Sequence, residues 1–398
     1  MNKLAEKLIL KVYNIGLDQG VIKENHTLTN INLDLSKKQK KVLVAYLEYS
    51  SACERLRRGM THTNQPRLFQ IIKTFIDMDM IVDTCWCLDS KARENLDYES
   101  YDIIFGFGSV FQDACLANKR AIKIIYMTED PFFIASAREK ERIEYYTHRH
   151  PEQANNQGIK DFVSTRAGVF YPDGIENLAD YVVCQGNPAH FERLGKKVYF
   201  IVPNAFKNEK FTNNQSHKQN NTFVMFGASS LIRKGTDILV DVFSQHPEWE
   251  LYLCDKNISA NLKKIGYSDL PSNVHDCGFI DVESDELIKL FEKVRFILLP
   301  SCSEAPSSAV LTGMRHGLLP IVMRGIGLDS YHEFCSYFEQ FTVEHVESVI
   351  SENLQQGEDC LNEKSEAIYK YANQNFTISA FTLRLKDIML DIMGEEQR

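Results

Sequence analysis

Hydrophobic residues in the first half of the chain occur in short continuous runs, separated by polar segments or by segments with helical spacing. Strands that are apolar throughout are typical of a parallel sheet covered by helices on both faces. The predicted strands of this sheet are 41–47, 80–85, 101–108, 121–128, 180–186 and 197–204. A helix over 65–78 is predicted after the first strand, because four apolar residues share one helix face: Leu68, Ile71, Ile72 and Phe75.

The same alternation starts again in the second half, after a polar, asparagine-rich segment that has no apolar period. The strands predicted there are 223–227, 249–254, 273–279, 294–300 and 318–323. The chain after about residue 358 is predicted to be helical. Two separate series of strands and helices predict an α/β protein with two Rossmann-like, doubly wound domains facing across a cleft.

These patterns also place the domain boundaries. We expect a first domain over 1–205, with a helical extension at 1–40, then a linker over 206–222 and a second domain over 223–375. Residues 376–398 are expected to form a C-terminal helix that packs back on the first domain. A chain of 398 residues is long enough for two domains of ordinary size.

Composition narrows the classes of function. The chain is 44% hydrophobic and 25% charged, as in ordinary globular proteins, and its net charge of −9 gives no reason to expect nucleic-acid binding. No apolar stretch reaches the roughly 20 residues of a membrane span. Ten scattered cysteines fit a reducing cytoplasm. The basic run SKKQKK at 36–41 is either a solvated surface or a patch that touches anionic lipid at the inner face of a membrane.

The first candidate site lies in FGASSLIRKGTDIL, where a predicted strand ends and a helix begins. Gly227 and Ser229 allow a diphosphate to approach the backbone, and Arg233 and Lys234 offer two adjacent cations to its oxygens. The alternative is a solvated loop with two surface cations, because the segment is neither a P-loop nor a G-x-G-x-x-G motif.

The second candidate site lies in PSCSEAPSSAVLTG, after the strand that contains FILL. Ser301 begins a loop, and Pro306 is expected at the first helical position, with Ser307 and Ser308 in the first turn. Free N–H groups of that turn would attract an anion or a sugar hydroxyl. Glu304 is suited to accept hydrogen bonds from two sugar hydroxyls; the alternative is that it only stabilises the helix dipole.

Taken together, F-G-x6-K-G-T-D-I-L, G-F-I and L-L-P-S-x-x-E-x12-G-L-x-P-I-V resemble the donor half of the retaining glycosyltransferases of family 4, which have the GT-B architecture. The resemblance covers about residues 197–328 well, and the first half only through the order of its elements. It implies that the second domain binds a nucleotide sugar, that the first binds the acceptor, and that the reaction uses no metal and no further cofactor.

The resemblance also assigns roles to single residues. In this family the lysine of K-G grips the donor diphosphate, which falls on Lys234, and the first glutamate of E-x7-E lies near the donor sugar, which falls on Glu304. The arginine that often follows the strand-end glycine is replaced by Ala228, and Arg233 is expected to supply that cation. The second glutamate, which accepts hydrogen bonds from the nucleotide ribose, is replaced by Thr312.

Thr312 leaves three interpretations open. The ribose is held by threonine and water, the donor differs from the common nucleoside diphosphate sugars, or donor binding is weakened or lost. We favour the first, because Lys234 and Glu304 remain. In this family the nucleobase lies beside a strand end, which falls here on Gly278 and Phe279.

Candidate acceptor-side residues come from two loops of the first half. His62 and Asn64 precede the first long helix; His62 is a candidate contact to the acceptor or a phosphate, and Asn64 a candidate helix cap. The alternative for both is an ordinary polar loop. Thr128 and Glu129 follow a strand where the family often has a histidine, and Glu129 is a candidate base for the acceptor hydroxyl.

No metal site is expected. Asp77 and Asp79 form a D-M-D, but residues two apart on a helix point to opposite sides and cannot chelate together. The sequence therefore predicts a retaining glycosyltransferase that moves a sugar from a nucleoside diphosphate to a glycan or lipid-linked acceptor, in glycan or surface polysaccharide synthesis. Two alternatives remain: a nucleotide-sugar epimerase of the same fold, or a GT-B-like binding or scaffold protein without catalysis, which Ala228 and Thr312 favour.

Overall fold

The computed structural model describes residues 27–57, 64–164, 167–228 and 230–396. The chain forms two compact units, Met1–Ala121 and Ile122–Arg398, and its strands lie in two sheets of seven and six strands. The linker expected over 206–222 would divide the chain at another place, and that domain division stays a prediction.

The described residues of the first unit form four strands and the helices that connect them. Its strands are β1 (Thr27–Ile31), β2 (Lys41–Tyr46), β3 (Ile81–Trp86) and β4 (Ile103–Gly106). Its helices are α1 (Tyr49–Arg57), α2 (Gln65–Asp77), α3 (Ala92–Asn95) and α4 (Gly108–Ala117). The strand order is β1-β3-β2-β4, in which β1 runs antiparallel to β3 and the other neighbours are parallel.

Burial in the first unit follows the predicted pattern. Strand β2 is buried along nearly its whole length, as expected for a strand with helices on both sides. The predicted apolar face of α2 is confirmed, because the same four residues are buried: Leu68, Ile71, Ile72 and Phe75. Asp79 lies beyond the end of α2 and pairs with Lys37 at 2.6 Å, so the predicted reason for excluding a D-M-D metal site, one shared helix, is wrong.

The second unit begins with three parallel strands in the order β5-β6-β7. These are β5 (Ile122–Met127), β6 (Tyr181–Cys184) and β7 (Lys197–Phe200). The helices between β5 and β6 are α5 (Phe132–Arg149), α6 (Ile159–Val163) and α7 (Ala167–Phe170).

The six-stranded sheet occupies the rest of this unit. Its strands are β8 (Gln219–Phe226), β9 (Glu250–Cys254), β10 (Val274–Asp276), β11 (Val294–Leu299), β12 (Leu319–Met323) and β13 (Ser336–Phe338). Its helices are α8 (Thr236–Gln245), α9 (Ile258–Lys264), α10 (Asp285–Lys293), α11 (Ser308–Arg315), α12 (Val343–Leu354), α13 (Glu358–Asn375) and α14 (Ile378–Glu395). All neighbouring strands are parallel, in the order β10-β9-β8-β11-β12-β13. This is the doubly wound order of a Rossmann fold, which reverses direction between β8 and β11.

Every predicted strand overlaps a strand of the structure, and the α/β fold class with two Rossmann-like sheets is confirmed. The expected helical extension over 1–40 is wrong at β1, where the β-branched sequence TLTNI pairs with β3. Residues 1–26 lie outside the described part of the chain. The expected linker over 206–222 ends too late, because β8 begins at Gln219, which pairs with Val294.

Helix α14 packs against the three-stranded part of the second unit. Lys197 and Tyr199, both on β7, bond Asp391 at 2.7 Å each, and Lys197 also pairs with Glu395. Apolar residues of α14, such as Leu385 and Ile392, are buried. The last helix is therefore joined to β7 by hydrogen bonds and ion pairs.

None of the helices in the described segments is long and apolar enough to span a lipid bilayer.

Candidate functional site

The two loops predicted to form the site follow β8 and β11, the strands of the six-stranded sheet between which the strand order reverses. Strands β8 and β11 are parallel neighbours, so Gly227 after β8 and Ser301 after β11 follow strand ends at the same edge of the sheet. In open α/β sheets the crevice outside such a switch point is where ligands bind. The topology thus brings the two candidate loops together, as the sequence predicts.

The first loop begins and ends with a glycine in a left-handed conformation. Gly227 and Gly235 both have φ of 77°. A Cβ atom at Gly235 would lie only 2.6 Å from the Pro300 carbonyl oxygen, so glycine lets the start of α8 approach the second loop closely. Ser229, the predicted phosphate contact between them, lies outside the described residues.

Arg233, Lys234 and Glu304 form one charged cluster. Arg233 NH1 donates to Glu304 Oε1 at 3.0 Å, and Lys234 Nζ lies 3.8 Å from the same oxygen. Lys234 Nζ also donates to the Gly227 carbonyl at 2.7 Å, and Arg233 NH1 to the Ser303 carbonyl at 3.2 Å. Each of the three charged side chains is 16% exposed. Two cations thus share one carboxylate, and the cluster carries a net positive charge.

The cluster keeps Arg233 charged in spite of its burial. Burial alone would lower the pKa of Arg233, but the carboxylates of Glu304 and Glu129 raise it above its ordinary value. Its Nε–H is buried and has no acceptor among the described residues. A buried donor of this kind is uncommon in proteins, and an oxyanion is the kind of group that it would bind.

In the second loop, the Ser301 hydroxyl bonds the backbone of both site loops. Ser301 is buried, and its hydroxyl lies 3.3 Å from the Arg233 carbonyl and 3.2 Å from the Ser303 carbonyl. Helix α11 begins at Ser308 with Ser307 as its N-cap, whose side chain makes no capping bond. Pro306 therefore precedes the helix, and its predicted place at the first helical position is wrong because the turn starts two residues later.

Asp130 is a buried residue of this region that the sequence analysis did not single out. Its carboxylate accepts from the Ser303 hydroxyl at 3.0 Å and lies 2.7 Å from His190 Nδ1 and 3.5 Å from Arg138 NH1. Arg138 also donates to the Cys302 carbonyl at 3.3 Å. Asp130 therefore fixes the loop that carries Glu304, beside the charged cluster.

The residues predicted just before Asp130 have different environments. Thr128 bonds the Tyr171 hydroxyl through both its amide and its own hydroxyl, at 2.9 Å each. Glu129 is partly buried, and its charge acts on Arg233. The structure therefore brings Glu129 near the cluster, whereas the Thr128 side chain is bonded within the protein.

Gly278 and Phe279 follow β10, two strands away from β8 at the same edge of the sheet. Gly278 has φ of 66°, and a Cβ atom there would meet nothing within 4 Å. The Phe279 ring is 54% exposed, and Lys256 Nζ lies 5.1 Å from its centroid. An open glycine and an exposed ring at a strand end fit the predicted base pocket, which stays a prediction.

Thr312 lies inside the protein, on α11. It is 5% exposed, and its hydroxyl accepts from the Phe206 amide at 3.3 Å. One turn later, His316 is fully buried, with Nδ1 2.7 Å from the Thr312 carbonyl and Nε2 accepting from the Asn208 amide at 3.0 Å. Both residues thus bond the segment before β8, and a ribose contact by Thr312 stays a prediction.

The structure gives little support to the two candidate acceptor-side residues of the first unit, His62 and Asn64. His62 lies outside the described residues. Asn64 stands at the N-cap of α2, but its side chain makes no capping hydrogen bond, so the predicted cap is wrong. Its backbone is already helical, with φ −71° and ψ −12°, whereas a capping residue needs an extended backbone.

Neither a known protein family nor a characterised protein matches the sequence. Solved structures do match the fold. Sucrose-phosphate synthase from Thermosynechococcus elongatus has a TM-score of 0.57 and 13% identity, covering 90% of this chain and 100% of its own. WaaG, a glycosyltransferase involved in lipopolysaccharide biosynthesis, has a TM-score of 0.53 and 14% identity, covering 87% and 99%. HepE of Anabaena, solved with UDP and glucose, has a TM-score of 0.50 and 13% identity, covering 88% and 99%. The fold is therefore that of GT-B glycosyltransferases.

Proposed function

We propose that this protein is a retaining glycosyltransferase that transfers a sugar from a nucleoside diphosphate sugar to an acceptor hydroxyl. The observation that carries the proposal is the cluster of Arg233, Lys234 and Glu304 at the switch point of the six-stranded sheet. Both cations lie within 4 Å of one carboxylate oxygen, and all three side chains are largely shielded from solvent. Shielded cations at a strand-end crevice are suited to a diphosphate, and the carboxylate between them to the hydroxyls of the attached sugar.

In this reaction the bond between the anomeric carbon and the diphosphate oxygen breaks, and the acceptor oxygen forms the new bond. Lys234 and Arg233 stabilise the negative charge that grows on the leaving diphosphate, which is electrostatic catalysis by preorganised donors. Glu304 orients the sugar. Glu129 is the candidate base that takes the proton of the acceptor hydroxyl. Retention and independence from metal rest on the family resemblance.

Three further parts of the proposal concern partners and location. HepE was solved with UDP and glucose, which makes a uridine nucleotide the first donor to test. The acceptor is proposed to be a glycan or a lipid-linked hydroxyl, in glycan or surface polysaccharide synthesis. Ten free cysteines are consistent with a reducing cytoplasm, and the basic run at 36–41 is the segment proposed to contact the inner face of a membrane.

The experiment that tests the proposal compares donor binding and turnover in two lysine variants. Titration calorimetry with UDP, GDP, ADP and CDP identifies the nucleotide, and slow hydrolysis of its sugar derivative measures turnover. We expect Lys234→Ala to lower turnover by roughly 10 to 150-fold, which is the loss of one charge-assisted hydrogen bond. Lys210→Ala, which removes an exposed ammonium paired with Asp285, is the matched control. Normal turnover by Lys234→Ala at both saturating and subsaturating donor would overturn the assignment.

One observation favours a second candidate, a binding protein without catalysis. The Thr312 hydroxyl already accepts from the Phe206 amide and offers no carboxylate to a ribose. This candidate predicts weak nucleotide binding or none, and no hydrolysis of any nucleotide sugar. Tight binding of one nucleotide together with slow hydrolysis of its sugar derivative would exclude it.

A further inference from the structure

The second unit contains a pocket that shares no lining residue with the charged cluster. The pocket has a volume of about 410 Å³, within the range of about 300–1,000 Å³ that is usual for ligand sites. It is lined by the end of β7, by the segment after β12 and by the last two helices: Phe200, Val202, Ser330, Tyr331, His332, Glu333, Phe334, Tyr371 and Arg384.

One part of the pocket lining is aromatic. Phe334 packs on Tyr371 with ring centroids 4.9 Å apart, and Tyr371 lies 5.9 Å from Tyr331. Phe200 adds a fourth ring to the lining. Aromatic rings present flat, weakly negative faces, and the C–H groups on one side of a pyranose ring stack on such faces.

Four other residues of the lining are polar: Ser330, His332, Glu333 and Arg384. In the described part of the chain, the side chains of Ser330, His332 and Glu333 make no hydrogen bond or ion pair. Arg384 donates from NH1 and NH2 to the carbonyl and side chain of Asn375, at 3.2 Å each, and no carboxylate of a described residue lies within 4.0 Å of it. These two bonds orient the guanidinium, and its remaining N–H groups have no acceptor among the described residues, so they can bind a ligand.

We propose that this pocket binds a pyranose sugar, either free or as one residue of a glycan. The ring stacks on the aromatic part of the lining, its hydroxyls donate to Glu333, and its oxygens accept from Arg384 and His332. A carboxylate beside a fixed guanidinium matches hydroxyls, which both donate and accept. A flat apolar ligand would leave these charged groups unpaired, and a simple anion would be repelled by the Glu333 carboxylate. The proposal does not rest on transfer activity, because it concerns a separate site.

Ligand-observed NMR and calorimetry with the full chain test the proposal. The probes are glucose, N-acetylglucosamine and glucuronate, each as a monosaccharide and as a linear trisaccharide. We expect at least one probe to bind, and Phe334→Ala and Glu333→Gln each to weaken it about tenfold. Glu333 is exposed, so Glu333→Gln keeps the fold even where Phe334→Ala does not. Trp86→Ala and Glu352→Gln, an exposed ring and an exposed carboxylate elsewhere, are matched controls.

The outcomes separate the two sources of the sugar and the two proposed sites. Equal affinity for monosaccharide and trisaccharide indicates a free sugar, and tighter binding of the trisaccharide indicates a glycan. Binding unchanged in Lys234→Ala keeps this site apart from the donor site, so it stands even if no nucleotide binds. The proposal is overturned if no probe binds, if Glu333→Gln and Phe334→Ala bind as the unaltered protein does, or if Lys234→Ala alone abolishes binding.

Discussion

Arg233 and Glu304 are bonded to each other at 3.0 Å, although each was expected to bind a different part of the same donor. Lys234 lies 3.8 Å from the same carboxylate oxygen. Under the proposed function, Glu304 occupies the place where the two cations would bind a diphosphate. In the proposed reaction the diphosphate competes with this carboxylate for the cations. We therefore infer that nucleotide affinity and sugar transfer depend on Glu304 in opposite ways.

We therefore expect Glu304→Gln to bind UDP about threefold to tenfold more tightly and to turn over its sugar derivative more slowly. The neutral amide no longer attracts the two cations, but it also holds the sugar hydroxyls less well. Calorimetry and hydrolysis of the donor measure the two effects. Glu339→Gln, which removes an exposed partner of Arg324, is the control. Weaker UDP binding in Glu304→Gln would contradict this relationship.

Ser303→Ala is expected to lower the free energy of unfolding by about 1–3 kcal/mol, because it removes a buried hydrogen bond to the Asp130 carboxylate. It is also expected to raise KM for the donor, since the loop that carries Glu304 loses this contact. Urea denaturation and steady-state kinetics measure both. Ser268→Ala, which changes an exposed serine outside the two site loops, is the control. Equal stability of the two variants would show that the Asp130 contact contributes nothing.

His316 is expected to make the fold sensitive to acid. Burial lowers the pKa of His316 to about 4, and both ring nitrogens are satisfied in the neutral form, with Nδ1–H donating to Thr312. Above pH 6.5 the ring is neutral in the folded and unfolded chains. As pH falls from about 6.5 towards 4, only the unfolded chain takes up the proton, so stability is lost.

Between pH 7 and pH 5 this loss amounts to about 2 kcal/mol. Chemical denaturation at both pH values measures the free energy of unfolding. From pH 7 to pH 5 this free energy should decrease in the original protein, and in His316→Gln the decrease should be smaller by this amount. The difference between the two proteins is the measure, because other groups titrate in both. The same decrease in both proteins would mean that His316 is protonated in the folded state.

Gly235→Ala is expected to destabilise the protein by about 2 kcal/mol or more, because alanine is strained at φ 77° and its Cβ would lie 2.6 Å from the Pro300 carbonyl. Gly394→Ala provides the contrast. It lies in α14 with nothing within 4 Å of a Cβ, so alanine should stabilise it by about 0.5–1 kcal/mol. Thermal unfolding of both variants measures the difference. A neutral effect at Gly235 would show that the loop can move away from Pro300.

Most strands of both sheets could be predicted because short, continuous apolar runs bounded by polar segments are typical of strands buried on both faces. Two strands were missed for different reasons. Strand β1 is mostly polar, and β13 has only three residues. The end of the expected linker was wrong because the first residues of β8, 219–222, are polar, although this strand pairs with β11. Strand residues that face solvent need not be hydrophobic, so the hydrophobic pattern of the sequence does not reveal them.

The candidate site could be predicted in part. Two strand-end loops with cations and a carboxylate are visible in the sequence, and parallel topology brings them to one edge. Asp130, His190 and Ser303 could not be joined in this way, because their contacts connect three segments that are far apart in the chain. The hydrogen bond from the Phe206 amide to the Thr312 hydroxyl could not be predicted either, because the two residues are far apart in the sequence.

The contacts between α14 and β7 bear on how genetic variants of this protein should be interpreted. Asp391 and Glu395, close to the end of the chain, hold Lys197 and Tyr199 of a strand almost two hundred positions earlier. A premature stop codon after Asn375 would leave every residue of the charged cluster in place and still remove the helix that covers β7. Such a mutant would lose function through misfolding and proteolysis, so its phenotype would say nothing about the chemistry of the site.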